Sequence, residues 1–232
     1  MDSTFHFSTV LHGQYIEWLI SGFRLSLLLS AMAFALALPL AIAIALMRLS
    51  PVRSVRAAGQ GYVETVRNIP LLAHMLFWYF GAPQILPHVV KVWLYSMNVE
   101  FVSALIALVM YTAAYMAEDI RSGIRSIPRE QLEASRALGF GFLHSMRLIV
   151  LPQSLRVIVP PLANQTLNLW KNSSVATVIG VAEMMYQSQQ VESATFRGFE
   201  SFAFATFAYL SVSILICTFS VWYQRKFPVR SI

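Results

Sequence analysis

Charge and cysteine are scarce in this chain. Only 12% of its 232 residues are charged, against about 25% in an ordinary soluble domain. Cys217 is the single cysteine and sits in an apolar run, so no internal disulfide can form and no metal-ligand cluster is offered. No G-x-x-x-x-G-K-[ST] segment is present, which excludes ATP binding through that phosphate-cradling loop. Neither H-E-x-x-H nor G-x-S-x-G occurs, and the histidines are scattered over distant segments, so nothing supports a membrane-embedded hydrolase. Met1 to Gly13 lacks the basic region and short apolar core of a cleavable signal. The first apolar segment is therefore expected to stay in the mature chain.

Hydrophobic residues make up 57% of the sequence, and the mean hydropathy is +0.60. Such a composition belongs to a protein embedded in membrane lipid. A net charge of +6 could suggest nucleic acid. The basic segments lack a folded readout surface, however, and arginine retained on the cytoplasmic side explains the charge. No nucleic-acid partner is expected.

A helix needs about 20 largely apolar residues to cross the hydrocarbon core. The expected fold is an all-α membrane protein, a single transmembrane domain over residues 1–232 with about five spans. They lie near 20–47, 69–86, 101–117, 155–170 and 202–222. Val175 to Met185 is apolar but too short to span, which suggests a surface-lying or re-entrant helix; Val89 to Tyr95 is shorter still. Arginines set the orientation. Arg48, Arg53, Arg56 and Arg67 follow the first span, and Arg121, Arg125, Arg129, Arg136 and Arg147 follow the third. Arg225, Lys226 and Arg230 fill the tail, whereas the opposite loops hold only Lys91, Lys171 and Arg197 prominently. Positive residues mark the cytoplasmic side, so the amino terminus is expected outside and the carboxyl terminus inside.

The loop at about 126–152 has its own pattern. Ser126 can cap a helix and Pro128 suits a first turn. The helix would use Leu132 and Leu138 as apolar contacts and expose Arg129, Glu130 and Arg136. Gly139 can adopt the left-handed conformation that ends a helix. A second short helix, about Phe142 to Leu151, would return the chain to the membrane, with Pro152 at the joint. Composition alone equally allows an amphipathic helix lying on lipid headgroups.

Spacing adds information. The segment carries Glu133, Ala134 and Ser135, then Gly139 four residues later, then Ile149, Leu151 and Pro152. It resembles the "EAA" loop by which ABC importer permeases grip their ATPase. The chain is similar over nearly its whole length to permeases of polar-amino-acid ABC importers. Glu64-Thr65-Val66-Arg67-Asn68-Ile69-Pro70-Leu71-Leu72, Trp78-Tyr79-Phe80-Gly81-Ala82-Pro83, Glu118 with Arg121-Ser122-Gly123-Ile124, and Leu151-Pro152-Gln153 carry the likeness. Pro160-Pro161-Leu162 and Lys171-Asn172-Ser173-Ser174-Val175-Ala176 look most like the glutamate/aspartate group. Ser135 is a departure, since the family usually has Ala there.

The resemblance implies a transport subunit, not an enzyme, in the bacterial inner membrane. It implies ATP held by a separate ATPase dimer, no cofactor or metal in this chain, and an extracytoplasmic amino-acid-binding protein. It also implies a second permease subunit, in a heteromer by likeness to the glutamate/aspartate group. Glu133 to Gly139 would sit in a groove of the ATPase and pass its movement to the spans, giving alternating access. Another polar or basic amino acid is the alternative cargo; a membrane-embedded enzyme and a passive channel are the remote rivals.

Asn164, Asn168 and Lys171 fall at i, i+4 and i+7, on one face of the fourth span. They could line the substrate path, with Lys171 attracting a carboxylate; equally, the asparagines could bond neighbouring helices or cover backbone groups freed by Pro160 and Pro161. Arg24 is expected to snorkel or pair with Glu17, His74 to make a helix contact, and Glu118 with Arg121 to form a helix-end ion pair. Trp18, Trp93, Trp170 and Trp222 fit interface anchors.

Overall fold

The computed structural model describes residues 7–228, the side chain of Trp93 apart; Arg230 lies outside them. All regular structure among them is helical. A short α1 (Phe7–Val10) precedes α2 (Gly13–Leu49), which has no acidic residue after Glu17. At 1.5 Å per residue α2 is about 55 Å long, well beyond a hydrocarbon core. Next comes α3 (Arg53–Arg67), where the sequence suggested only a basic loop. Its buried residues, Gly59, Val63 and Val66, recur at helical spacing. A Cβ at Gly59 would stand 2.9 Å from Arg48 Cγ and 3.1 Å from Met47 Cβ, so α3 folds back tightly against the end of α2.

The expected second span is a broken run: α4 (Leu71–Leu76), a π-helical turn at Phe77–Gly81, and α5 (Ala82–Ile85). It covers about 20 Å of helix axis. Pro70 starts it, and Leu86, extended before Pro87, ends it. After α6 (His88–Tyr95) comes α7 (Val99–Arg125), which continues two turns past Ala117. Then follow α8 (Arg129–Ala137), α9 (Phe142–Ser145), a second π turn (Met146–Val150) and α10 (Leu151–Asn172). A 3-10 turn (Ser173–Ile179), α11 (Met184–Thr195) and α12 (Gly198–Lys226) complete the order. Among the described residues, four helical runs are long and apolar enough to cross a membrane: Gly13–Leu49, Val99–Arg125, Phe142–Ile179 and Gly198–Lys226.

Each π turn sits one residue ahead of a proline, Pro83 or Pro152. Proline has no N–H and its ring clashes with the carbonyl four residues back. The wider turn relieves this: the N–H of Ala82 reaches the Phe77 carbonyl, and that of Leu151 the Met146 carbonyl, both five residues back.

The chain forms two compact units. One comprises residues through Leu36, Ile69–Tyr111 and Asn168–Ile214. Its main cluster packs Leu29, Met75, Leu108, Leu169 and Ile179 among Ala33, Ala104, Ala107 and Ala176. The alanines let helices approach closely where lipid supplies no hydrophobic drive between them. His74 is buried, edge-on to Tyr111 with centroids 6.0 Å apart, a helix contact. Trp170, expected at an interface, is instead a core residue. It is 2% exposed and its indole N–H donates to the Tyr209 carbonyl at 3.0 Å. Trp222, by contrast, is half-exposed with Lys226 over its ring.

The other unit comprises Ala37–Asn68, Thr112–Leu167 and the residues from Leu215. There α7 and α10 meet at Gly123, where any Cβ would overlap Ile158 Cγ1.

Candidate functional site

The hairpin made by α8 and α9 contains the loop motif. Ser126 does not cap it: its hydroxyl donates to the Gly123 carbonyl at 2.9 Å and closes the end of α7. The cap position is Pro128, without a side-chain bond. Gly139 has φ +84°, the left-handed conformation expected of it. Its N–H donates to the Arg136 carbonyl at 2.9 Å, and the Phe140 N–H to the Ser135 carbonyl at 3.1 Å, the paired bonds of a Schellman ending.

Glu133, Ala134 and Arg136 are exposed on α8, and Ser135 is 1% exposed. Leu132 is half-buried as expected, but Leu138 is not a packing contact. It is 77% exposed, because the turn at Gly139 carries it outward, where Phe142 and Leu143 are exposed too. Ile149 is half-buried, and Leu151 and Pro152 are exposed. Ser145 was not singled out by the sequence. It is fully buried, and the hydroxyls of Ser135 and Ser145 lie 2.7 Å apart.

A charged group occupies the same unit. Glu118 accepts from Arg48 of α2 through one oxygen and from Arg121 through the other at 3.1 Å. The expected pair within α7 is present, but it is not at a helix end, and the missed partner, Arg48, makes it a link between helices. Asp119 accepts from the Gln165 amide at 2.8 Å, and the Arg67 guanidinium lies 4.9 Å from the Tyr115 ring centre. On α3, burial pushes the Tyr62 phenol up to about 12.

The three polar residues of α10 project outward. Asn164 is exposed in one unit; Asn168 and Lys171, three residues apart, are exposed in the other. Neither asparagine covers a carbonyl freed by Pro160 or Pro161 through a bond among the described residues. Lys171 forms none of the three ion pairs found there. Arg24 is exposed on α2 and does not pair with Glu17. Exposed polar groups on an apolar helix call for protein or water against them rather than lipid.

Glu183 was missed altogether. The stretch expected to lie on a surface or re-enter is a buried corner: the 3-10 turn closes on Gly180 at φ +88°, and Glu183 caps α11. Its side chain is 0% exposed. Oε1 accepts from the Thr177 hydroxyl and, at 2.9 Å, from the Tyr186 N–H. Oε2 accepts from the Ser26 hydroxyl at 3.1 Å and the Tyr209 hydroxyl at 2.8 Å. Ser26 in turn accepts the Met184 N–H at 3.0 Å. The available signal was an ionisable residue inside an apolar run, which is rarely idle.

The family described as "binding-protein-dependent transport system inner membrane component" matches residues 17–230. The glutamate/aspartate import permease protein GltJ of Escherichia coli is 33% identical over 216 residues, 91% of this chain and 88% of that one. The probable glutamine ABC transporter permease protein GlnM of Bacillus subtilis is 38% identical over 196 residues, 84% and 86% of the two chains. A crystal structure of an amino acid ABC transporter with histidines superposes with a TM-score of 0.84 at 29% identity, covering 96% of this chain and 99% of that one.

Proposed function

We propose, on the premise that this chain belongs to the family of binding-protein-dependent transport system inner membrane components and is the permease subunit of an amino-acid ABC importer, that its cargo is glutamate or aspartate. The premise makes it a multi-pass protein of the bacterial plasma membrane and a transport component rather than an enzyme. Its family works with an ATPase and a substrate-binding protein.

The observation that carries the acidic cargo is Lys171, an exposed cation on a membrane helix with Asn168 beside it and no ion pair among the described residues. A carboxylate entering there would gain a charge-assisted hydrogen bond. Likeness to the glutamate/aspartate permease supports the same cargo; likeness to the glutamine permease supports the second reading, a neutral amide cargo.

In the working complex, ATP is bound by the partner ATPase, and a similar second permease completes a heteromer. Glu133 to Gly139 docks on the ATPase, with Ile149, Leu151 and Pro152 joining the dock to the membrane. The exposed acid and the apolar tip at Leu138 and Leu143 support that role, since an isolated headgroup helix would turn its apolar residues to one side. The clustering of arginine at one end of the spans supports a cytoplasmic carboxyl terminus and an amino terminus outside. Rocking of the spans then gives alternating access to Asn164, Asn168 and Lys171.

Uptake of labelled glutamate, with unlabelled aspartate as competitor, tests the cargo in cells with and without the chain. Energy-dependent uptake that needs the chain and is suppressed by aspartate is the expected result. Suppression by glutamine but not by aspartate would transfer the assignment to the amide.

A further inference from the structure

The geometry points to Ser135 and Ser145 as positioning residues that pin the docking hairpin as one rigid piece. The inference rests on the reading of that hairpin as the ATPase dock. Both side chains are buried, at 1% and 0% exposure, although the hairpin around them is largely exposed. Among the described residues the 2.7 Å contact between their hydroxyls is the one side-chain hydrogen bond joining α8 to α9.

Proton counting shows that this bond is not incidental. Ser135 Oγ also lies 2.7 Å from the Leu132 carbonyl, and Ser145 Oγ 3.1 Å from the Gly141 carbonyl. Two hydroxyl protons thus face three contacts, because each hydroxyl has one proton to give. If both hydroxyls donated to their own carbonyls, two oxygens would face each other at 2.7 Å with no proton between them, a repulsive contact. Ser135 therefore donates to Ser145, which donates to Gly141, or Ser145 donates to Ser135, which donates to Leu132, and the bond between helices exists in both arrangements.

The Gly139 ending fixes the backbone direction after α8, but nothing in that ending ties the side of α8 to α9. The serine pair does so, one turn before the glycine, beside the exposed Glu133 and Ala134. A dock that is to transmit rigid-body movement must not bend against the chain that leads into the membrane. The serine at position 135 therefore has a partner that gives it a purpose.

Removing one hydroxyl leaves the other with its own intrahelical carbonyl, so no buried donor is stranded and the fold should survive. The test uses the full complex with its ATPase and binding protein in proteoliposomes, carrying Ser135→Ala, Ser145→Ala or both. Labelled glutamate moved per ATP hydrolysed is read, with labelled glutamine substituted where the wild type moves no glutamate. ATPase retained per permease is measured alongside.

The expected result is unchanged ATPase retention and a ratio reduced by up to about tenfold in each single variant, the most that losing one neutral hydrogen bond supplies. The double variant should be no worse than either single one, because the pair acts as a unit. An unchanged ratio in both single variants, or a double variant that multiplies the two losses, overturns the inference. A wild type that moves glutamine alone refutes the acidic cargo and leaves this test intact; loss of the ATPase from either single variant refutes the positioning role.

Discussion

The hydroxyl of Tyr209 on α12 donates to Oε2 of Glu183 at 2.8 Å, and that glutamate receives three further hydrogen bonds without a cation among them. One buried carboxyl group thereby joins α2, the 3-10 turn, the start of α11 and α12. Its four donors all belong to a single compact unit. A buried acid is costly unless its oxygens are satisfied, and here they are.

Truncation should expose that dependence. Glu183→Ala strands several buried donors, each costing about 1–3 kcal/mol. A loss of about 3 kcal/mol corresponds to roughly 6–12 °C in a chain of this size. Tyr209→Phe leaves one buried oxygen of Glu183 short of a donor and should cost about 1–3 kcal/mol. Thermal unfolding in detergent ranks the two; equal melting temperatures for Glu183→Ala and wild type would discard the role assigned to this group.

Gly139 allows a graded test of the dock. A Cβ there meets nothing within 4 Å, so Gly139→Ala pays only for the left-handed backbone, about 1–2 kcal/mol. Proline cannot adopt φ +84° at all and also removes the N–H that reaches Arg136. Gly139→Pro, and Glu133→Lys by charge reversal, should release the ATPase in a pull-down while membrane insertion persists. Full retention of the ATPase by both variants would count against the dock.

Gly123 is constrained by space, not by backbone angle. Gly123→Ala should destabilise by about 1–3 kcal/mol, the usual range for overpacking. Ile158→Ala in the same chain should recover part of that loss, because Ile158 Cγ1 occupies the position the new Cβ needs. Two additive losses in a double-mutant cycle would show that the two sites do not meet.

Lys171→Ala should lower glutamate uptake about tenfold to a hundredfold at low substrate concentration, since one charge-assisted bond is worth about 1.5–3 kcal/mol and tenfold is about 1.4 kcal/mol. Lys171→Arg should retain most of it, and ATPase attachment should match the wild type in both. Undiminished uptake in Lys171→Ala would remove this residue from the path.

Much of the molecule was legible because it is local. Arginine clustering, apolar runs, and the fixed offsets from Glu133 to Pro152 all lie within short windows of sequence. Gly139 was readable for the same reason: one residue type at one position decides how a helix ends. Long-range relationships were not readable. Ser26 and Glu183 are 157 residues apart, and Arg48 and Glu118 are 70, so no periodicity links them. Trp170 looked like an interface anchor because its position near a helix end is visible in sequence, whereas the carbonyl of Tyr209 that holds it inside is not. The second apolar segment was readable as short or interrupted, but proline signals a break without revealing that a π turn will absorb it.

That second lesson reaches into the other π turn. From the hairpin into α10 the buried residues are Ser145, Val150, Ser154 and Ile158, a step of five followed by steps of four. The long step is one surplus residue, swallowed by the wide turn at Met146–Val150. Downstream of it the helix presents the face it would have presented had that residue never been there. Deleting one amino acid inside the turn would convert it to ordinary helix and leave Ser154 and Ile158 inward. The same deletion between Gln153 and Val157 would rotate everything after it by about 100°. The joint between the hairpin and α10 is thus a seam where length can vary without turning the helix beyond it.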